Sequence, residues 1–238
     1  MSTDDIPSVV TRPLPNAVTY DLTVRDRVTI TLPPHSAWSS GLHWHEDHDE
    51  YLAVVQGRIH VKLGDEECIV NAGQPEVHIP RHAWHSWRRA EADGNDVVVV
   101  ERTEPADLQK AVFFWNLNGV VLDAPALDAK MTRLPSWLRG LLVDWWVTMS
   151  LFVIFHHLDN WPVLVNVPEI LRPLVPGLGQ SMVSQVSQKV DWLCTHTTLG
   201  LATLVGRLFG VAPVQRRYTP ASIFAQWGDG QDKNKKIS

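Results

Sequence analysis

The sequence predicts an α+β protein, with an all-β barrel or sandwich first and a tryptophan-rich helical region after it. Three observations carry this reading. Short runs of alternating or β-branched residues recur between turn signals up to about residue 105. Beyond that point the apolar spacing becomes helical. Five of the 11 tryptophans (Trp137, Trp145, Trp146, Trp161 and Trp192) then concentrate between residues 137 and 192.

The strand-like runs are Asp26–Leu32, Gly41–His45, Glu50–Val55, Arg58–Leu63, Cys68–Val70, Glu76–Ile79, Ala83–Trp87 and Val97–Glu101. Gly64-Asp65 and Asn71-Ala72-Gly73 punctuate them as turns, and Val97–Val100 has the β-branched bias of a buried strand. Residues 1–20 carry Pro7, Pro13 and Pro15 and read as an extended arm. After the strands, Ala106–Trp115 has helical spacing, Leu117–Leu122 reads as a connector, and Asp123-Ala124-Pro125 as a boundary. Ser136–Leu158 is almost continuously apolar, with Ser136 as its expected N-cap. A further helix is expected over Ser181–Leu208. Pro162, Pro168, Pro173 and Pro176 forbid one long helix through Asn160–Gly179.

The densest chemistry lies at the start. His43 and His45 are two apart on a strand and project to one face, with Trp44 turned away. Asp47-His48-Asp49 fits a tight turn, so a hairpin is expected to set Glu50 opposite the histidine pair. His85 follows in the turn after Pro80. Three imidazoles and one carboxylate suit a divalent metal. Such a set leaves open positions on a six-coordinate ion for water, dioxygen or a bidentate substrate.

In these residues the chain resembles the cupin superfamily. The first cupin motif reads HxH, four residues, Glu, six residues, Gly; His43, His45, Glu50 and Gly57 match every spacing. Of the second motif, PxGxxHxxxN, Pro80 and His85 match, while His82 replaces the glycine and Arg89 the asparagine. His82 thus stands where the family's turn takes positive φ, which non-glycine residues tolerate poorly. The resemblance covers roughly residues 25–115. It implies a double-stranded β-helix, or jelly roll, holding the site in its interior. It also implies His43, His45, Glu50 and His85 as ligands of one divalent ion, iron or manganese favoured, with zinc or nickel as alternatives. Glu50 is in addition the candidate catalytic base. Oxidation and Lewis-acid isomerisation, dehydration or cyclisation are all within the family's range, as is non-catalytic ligand binding.

The layout, with its Phe114-Trp115-Asn116-Leu117-Asn118 segment, also looks like small cupin proteins of fungal secondary metabolism. That likeness implies an apolar natural-product substrate. His82, Trp87 and His156 are the further candidates for lining the substrate pocket or supporting the ligands. The expected organisation is an arm at 1–20, a cupin barrel at 21–115, an apolar helical extension at 116–219 and a polar tail at 220–238.

Composition narrows the partners. The net charge of −5 argues against nucleic acid. Residues 1–130 hold 11 Lys and Arg against 20 Asp and Glu, and the remainder 10 against 6. The positive balance and tryptophans of the second half suit a membrane surface. A cap packed on the barrel is the leading reading of those helices, since Trp145–Leu158 is short for a span. The polar N-terminus carries no signal-peptide pattern. The expected location is cytoplasmic or peripheral to an intracellular membrane. Cys68 and Cys194 need not pair. A homodimer is the expectation the family resemblance adds.

Overall fold

A computed structural model describes residues 6–166 and 180–235. Ten strands precede the first helix: β1 (Val9–Arg12), β2 (Val18–Asp21), β3 (Arg27–Leu32), β4 (His43–Trp44), β5 (Asp49–Gln56), β6 (Arg58–Leu63), β7 (Glu66–Asn71), β8 (Val77–Ile79), β9 (His85–Arg89) and β10 (Val97–Glu104). Helices α1 (Gln109–Lys130) and α2 (Ser136–His157) follow, then β11 (Trp161–Pro162), α3 (Gln180–Leu208) and α4 (Ala221–Lys235). The strands form two antiparallel sheets, in the orders β1-β2-β3-β10-β5-β8 and β11-β4-β9-β6-β7. Every strand-like run expected from the sequence overlaps one of these strands.

Period-two alternation builds the interior. Val28, Ile30 and Leu32 of β3 point inward, as do Val97, Val99, Glu101 and Thr103 of β10. Two tight features hold the corners. Gly57 has φ +77°, and a Cβ there would meet Val97 Cγ2 at 2.8 Å, so only glycine fits. His82 accepts φ +63°, and its N–H donates to the His45 carbonyl at 2.6 Å. The residue that replaces the family's glycine therefore keeps the turn. Arg89, which replaces the asparagine, is buried and donates to the carbonyls of Leu32, Glu91, Asp93 and Asn95, fastening the loop before β10.

One expectation about the ligand strands is corrected. β4 and β5 do not form a hairpin; they belong to different sheets. The chain crosses from one sheet to the other at Asp47-His48, so Glu50 faces the histidines across the interior. A polar turn is equally compatible with a hairpin and with a sheet-to-sheet corner, and local sequence does not separate the two.

The arm is a strand pair. β1 lies antiparallel on β2, and the Trp115 indole donates to the Pro7 carbonyl at 3.0 Å. The expected connector and boundary within 117–125 are also corrected, because α1 runs unbroken through them with Pro125 inside. The helix is exposed around Pro125, so the carbonyl that loses its partner stays in water. Ser136 is the first helical residue and Pro135 the N-cap; the expected serine cap is not made. Pro168, Pro173 and Pro176 lie outside the described residues.

Barrel and helices share one core. Val112, Phe114, Trp115 and Val120 of α1 and Ile154 and Leu158 at the end of α2 are buried in the same cluster as the inward strand residues. Asn116 ties this cap to the chain's later part: its Oδ1 accepts from the Gln215 N–H at 2.7 Å and its Nδ2 donates to Thr219 Oγ1 at 3.0 Å. Tyr218 packs so closely on Gly119 that a Cβ there would lie 2.3 Å from its ring. α4 adds buried Ile223. Cys68 and Cys194 are both free thiols.

Candidate metal centre

His43 and His85 sit directly opposite each other across β4 and β9. His45 follows β4, and Glu50 enters from β5 in the other sheet. One ligand atom from each of the four lies within 4.8 Å of all the others, and all four side chains are buried. The imidazole centroids of His43 lie 4.1 Å from His85 and 5.0 Å from His45, and those of His45 and His85 are 5.3 Å apart.

Each imidazole is oriented by a backbone carbonyl. His43 Nδ1 faces the Gly41 oxygen at 2.9 Å, His85 Nδ1 the Ala83 oxygen at 2.9 Å, and His45 Nδ1 the Asp159 oxygen. A carbonyl only accepts, so Nδ1 carries a hydrogen in all three and Nε2 is the nitrogen turned toward the centre. His45 Nε2 then stands 3.1 Å from Glu50 Oε2, and His85 Nε2 lies 3.4 Å from Oε1. Three Nε2 atoms and a carboxylate thus converge in the interior, and buried His85 Nε2 has no hydrogen-bond partner. A divalent cation satisfies this arrangement, and N–H groups held by carbonyls are the usual support for metal-binding imidazoles. His43 is lowered well below the usual histidine range by burial and then by His85 and His45, which keeps its lone pair free. The residues fit a metal.

Two charged residues that sequence reasoning missed complete the centre. Lys110 of α1 reaches through the barrel mouth to Glu50 Oε2 at 2.5 Å and also binds Glu101 of β10. Burial alone would raise Glu50, but Lys110, followed by His45 and His85, holds it well below the usual carboxylate range. Glu101 moves the other way, raised by burial and by the Glu50 charge. Lys110 is raised despite burial, because both carboxylates face it. It occupies Oε2 and leaves Oε1 as the carboxylate's donor toward a cation. Both residues were legible in principle. Period two puts Glu101 inside with Val97 and Val99, and Lys110 adjoins the buried stripe of α1.

Asp159 is the third missed residue. It follows α2 with φ +49°, a conformation that aspartate tolerates better than most. Its carbonyl holds His45. Its carboxylate accepts from the backbone N–H of Glu46 (2.7 Å) and Asp47 (3.0 Å) and from the Trp161 indole (3.1 Å). It also faces His48 Nδ1 at 2.7 Å, while Asp107 Oδ2 lies 3.1 Å from His48 Nε2. Two carboxylates on two ring nitrogens require the imidazolium. Burial would lower His48, but Asp107 and Asp159 outweigh it and bring it up to about 9.

A cavity of about 190 Å³ opens on His43, His45 and Lys110. Tyr20, Trp38, Phe113, Phe114, Phe155 and Leu158 supply its apolar wall, most of it from α1 and α2. The other sequence candidates stand elsewhere. His82 is exposed and lines a separate groove with Trp44, Trp84 and Trp192. Trp87 is in the core against Trp38, 4.7 Å between centroids, not on the cavity wall. His156 turns toward α3, with Nδ1 3.2 Å from Thr203 Oγ1, and His157 Nδ1 bonds the Val153 carbonyl in its own last turn. Trp44 faces away from the ligands, as alternation requires, and stacks on Trp84 and Trp161.

A buried metal-ligand set inside a two-sheet barrel is the architecture the sequence motif implied. The family model described as "Cupin domain" matches residues 28–101, so this part of the chain is a cupin domain. Among solved structures the chain is similar to a candidate sugar phosphate isomerase from Acidithiobacillus ferrooxidans (18% identity, 37% of this chain and 59% of that chain, TM-score 0.31). It is also similar to KdgF from Halomonas sp. (21% identity, 40% and 86%, TM-score 0.32). A third is a candidate oxalate decarboxylase from Thermotoga maritima (17% identity, 41% and 96%, TM-score 0.33). The chain thus spans little more than half of the first of these. No curated protein matches it.

Two outcomes follow. Asp159→Ala keeps the carbonyl on His45 but removes the carboxylate that fastens the Glu46–Asp47 backbone beside it, and should weaken metal binding roughly 10-fold, read by competition with a chromogenic chelator. The His48 contribution has a defined sign. With the folded value near 9 and the unfolded value near 6.5, its stabilisation is complete below pH 6.5 and is lost as pH rises through 9. With chelator present, stability to urea should fall by about 1–2 kcal/mol over that window, allowing for solvent screening. The fall should be absent in His48→Asn.

Proposed function

We propose that this protein is a metal-dependent cupin enzyme acting on a compact apolar small molecule. The observation that supports it best is the convergence of three Nε2 atoms and Glu50 beside a cavity walled by aromatic side chains. About 190 Å³ is below the roughly 300–1,000 Å³ typical of drug-sized ligands, which favours a small substrate. A bound divalent ion would supply Lewis acidity, or a place for dioxygen if it is iron or manganese.

The chain's own residues then have distinct tasks. His43, His45, His85 and Glu50 hold the ion. Glu50 is kept ionised by Lys110, which suits it as the anionic ligand, and it is the carboxylate placed to take a proton from substrate. Phe113 and Phe155 position an apolar ring system and exclude water. Lys110 and Glu101 place a cation and an acid at the cavity edge, where a carbonyl or enol oxygen of the substrate can meet them. Oxidation and isomerisation, dehydration or cyclisation of an enol or hydroxy-carbonyl compound all suit this equipment. A natural-product substrate of secondary metabolism is the reading that the layout of barrel and tryptophan-rich extension favours.

The purified protein should carry about one divalent ion per chain by elemental analysis, and His45→Ala should lose it. Turnover of small enol, catechol or hydroxy-carbonyl compounds should depend on that ion. It should drop roughly 100-fold or more in Glu50→Gln, the loss expected of an acid–base group. A metal-free protein that binds such compounds without converting them would overturn the enzymatic reading.

A further inference from the structure

The mechanism above uses the barrel-facing ends of the helices and leaves their far ends unexplained. α1 and α2 are each about 33 Å long and form an antiparallel pair. The first half of α1 and the last turns of α2 are buried on the barrel. Their opposite ends carry large apolar side chains into solvent. Trp137 is 67% exposed, Leu141 60% and Trp145 44%, at i, i+4 and i+8 on one face of α2. The end of α3 joins them through Trp145 and Phe209, 5.4 Å between ring centroids, and adds Leu208 at 84% exposure.

The charge around this tip differs from that of the whole chain. Residues 127–145 and 204–211 hold Lys130, Arg133, Arg139 and Arg207 against only Asp128 and Asp144, in a protein of net charge −5. Arg139 is paired with Asp128 at 2.6 Å. Lys130, Arg133 and Arg207 are exposed beside the apolar residues. Exposed indoles and leucines ringed by arginine fit the interface of an anionic bilayer, where indoles sit at headgroup depth and basic groups meet lipid charge.

Spanning is a different matter. By length and composition α2 is the one described helix that could cross a membrane. Its last turns, however, are fixed in the barrel: Ile154 and Leu158 lie in the shared core and Phe155 lines the cavity. The same residues cannot also face lipid. Asp144 bounds the apolar stretch about 10 Å along the helix from Trp137, comparable with the 5–10 Å to which interfacial helices immerse.

We infer that the tip formed by the α1–α2 turn and the end of α3 docks on an anionic lipid surface, inserting Trp137, Leu141 and Leu208 while Lys130, Arg133 and Arg207 meet the headgroups. The inference is independent of the metal chemistry.

The test is flotation of the full chain with vesicles of phosphatidylcholine alone and of phosphatidylcholine with phosphatidylserine. The protein should float with the phosphatidylserine vesicles at low salt and should detach as salt is raised. Leu141→Glu/Leu208→Glu should stay unbound while keeping the wild-type far-ultraviolet circular dichroism. Arg133→Gln/Arg207→Gln, which spares the apolar residues, should lower the partition coefficient roughly 25-fold, about five-fold per basic residue. Failure of the wild-type protein to float overturns the inference. Equal flotation with both vesicle types overturns the anionic assignment. A dimer by light scattering that Leu208→Glu dissociates, with no vesicle binding, gives the face to a second copy of the chain and likewise overturns it.

Discussion

Three imidazole N–H groups donated to three backbone carbonyls are the constraint on which the centre rests. Gly41, Ala83 and Asp159 each provide an oxygen that can only accept. This places a hydrogen on each Nδ1 and turns three Nε2 atoms toward one carboxylate in a buried interior. Four buried polar side chains converging in this way suit one divalent cation. The barrel architecture, the turn at His82 and the inward set of β10 all bring these groups to one point.

The centre is not built by the cupin domain alone. Asp159, 114 residues from His45 in sequence, supplies one of the three carbonyls and also fastens the backbone of the β4–β5 corner. Lys110 enters from α1 and sets the charge on Glu50. Trp161 and Pro162 add a strand to β4, the strand that carries His43. The helical region therefore closes the barrel mouth, supports its ligands and walls its cavity. A shared hydrophobic core makes the two regions one cooperative unit, in keeping with the continuous burial from Val28 to Ile154.

The spacing of His43, His45, Glu50 and His85 was legible because alternation and motif geometry are local or family-wide properties. The strands were legible for the same reason. What the sequence hid was tertiary. The polar corner at Asp47-His48 reads equally as a hairpin, and only the two-sheet arrangement reveals the crossing. Asp159 carries no local signature, because its role depends on where α2 ends relative to β4. Trp87 shares a strand face with His85 and His156 ends the apolar helix, yet packing turns one into the core and the other toward α3. Lys110 and Glu101 could have been found, since each is a charged residue on an otherwise inward-facing stripe, and such residues need a buried partner.

The most direct measurement is X-ray absorption at the edge of the metal carried by the purified protein. Three imidazole nitrogens with oxygen donors completing the sphere, falling to two imidazoles in His85→Ala, is the expected spectrum. A metal bound without imidazole scattering, or a spectrum unchanged by His85→Ala, would contradict the account.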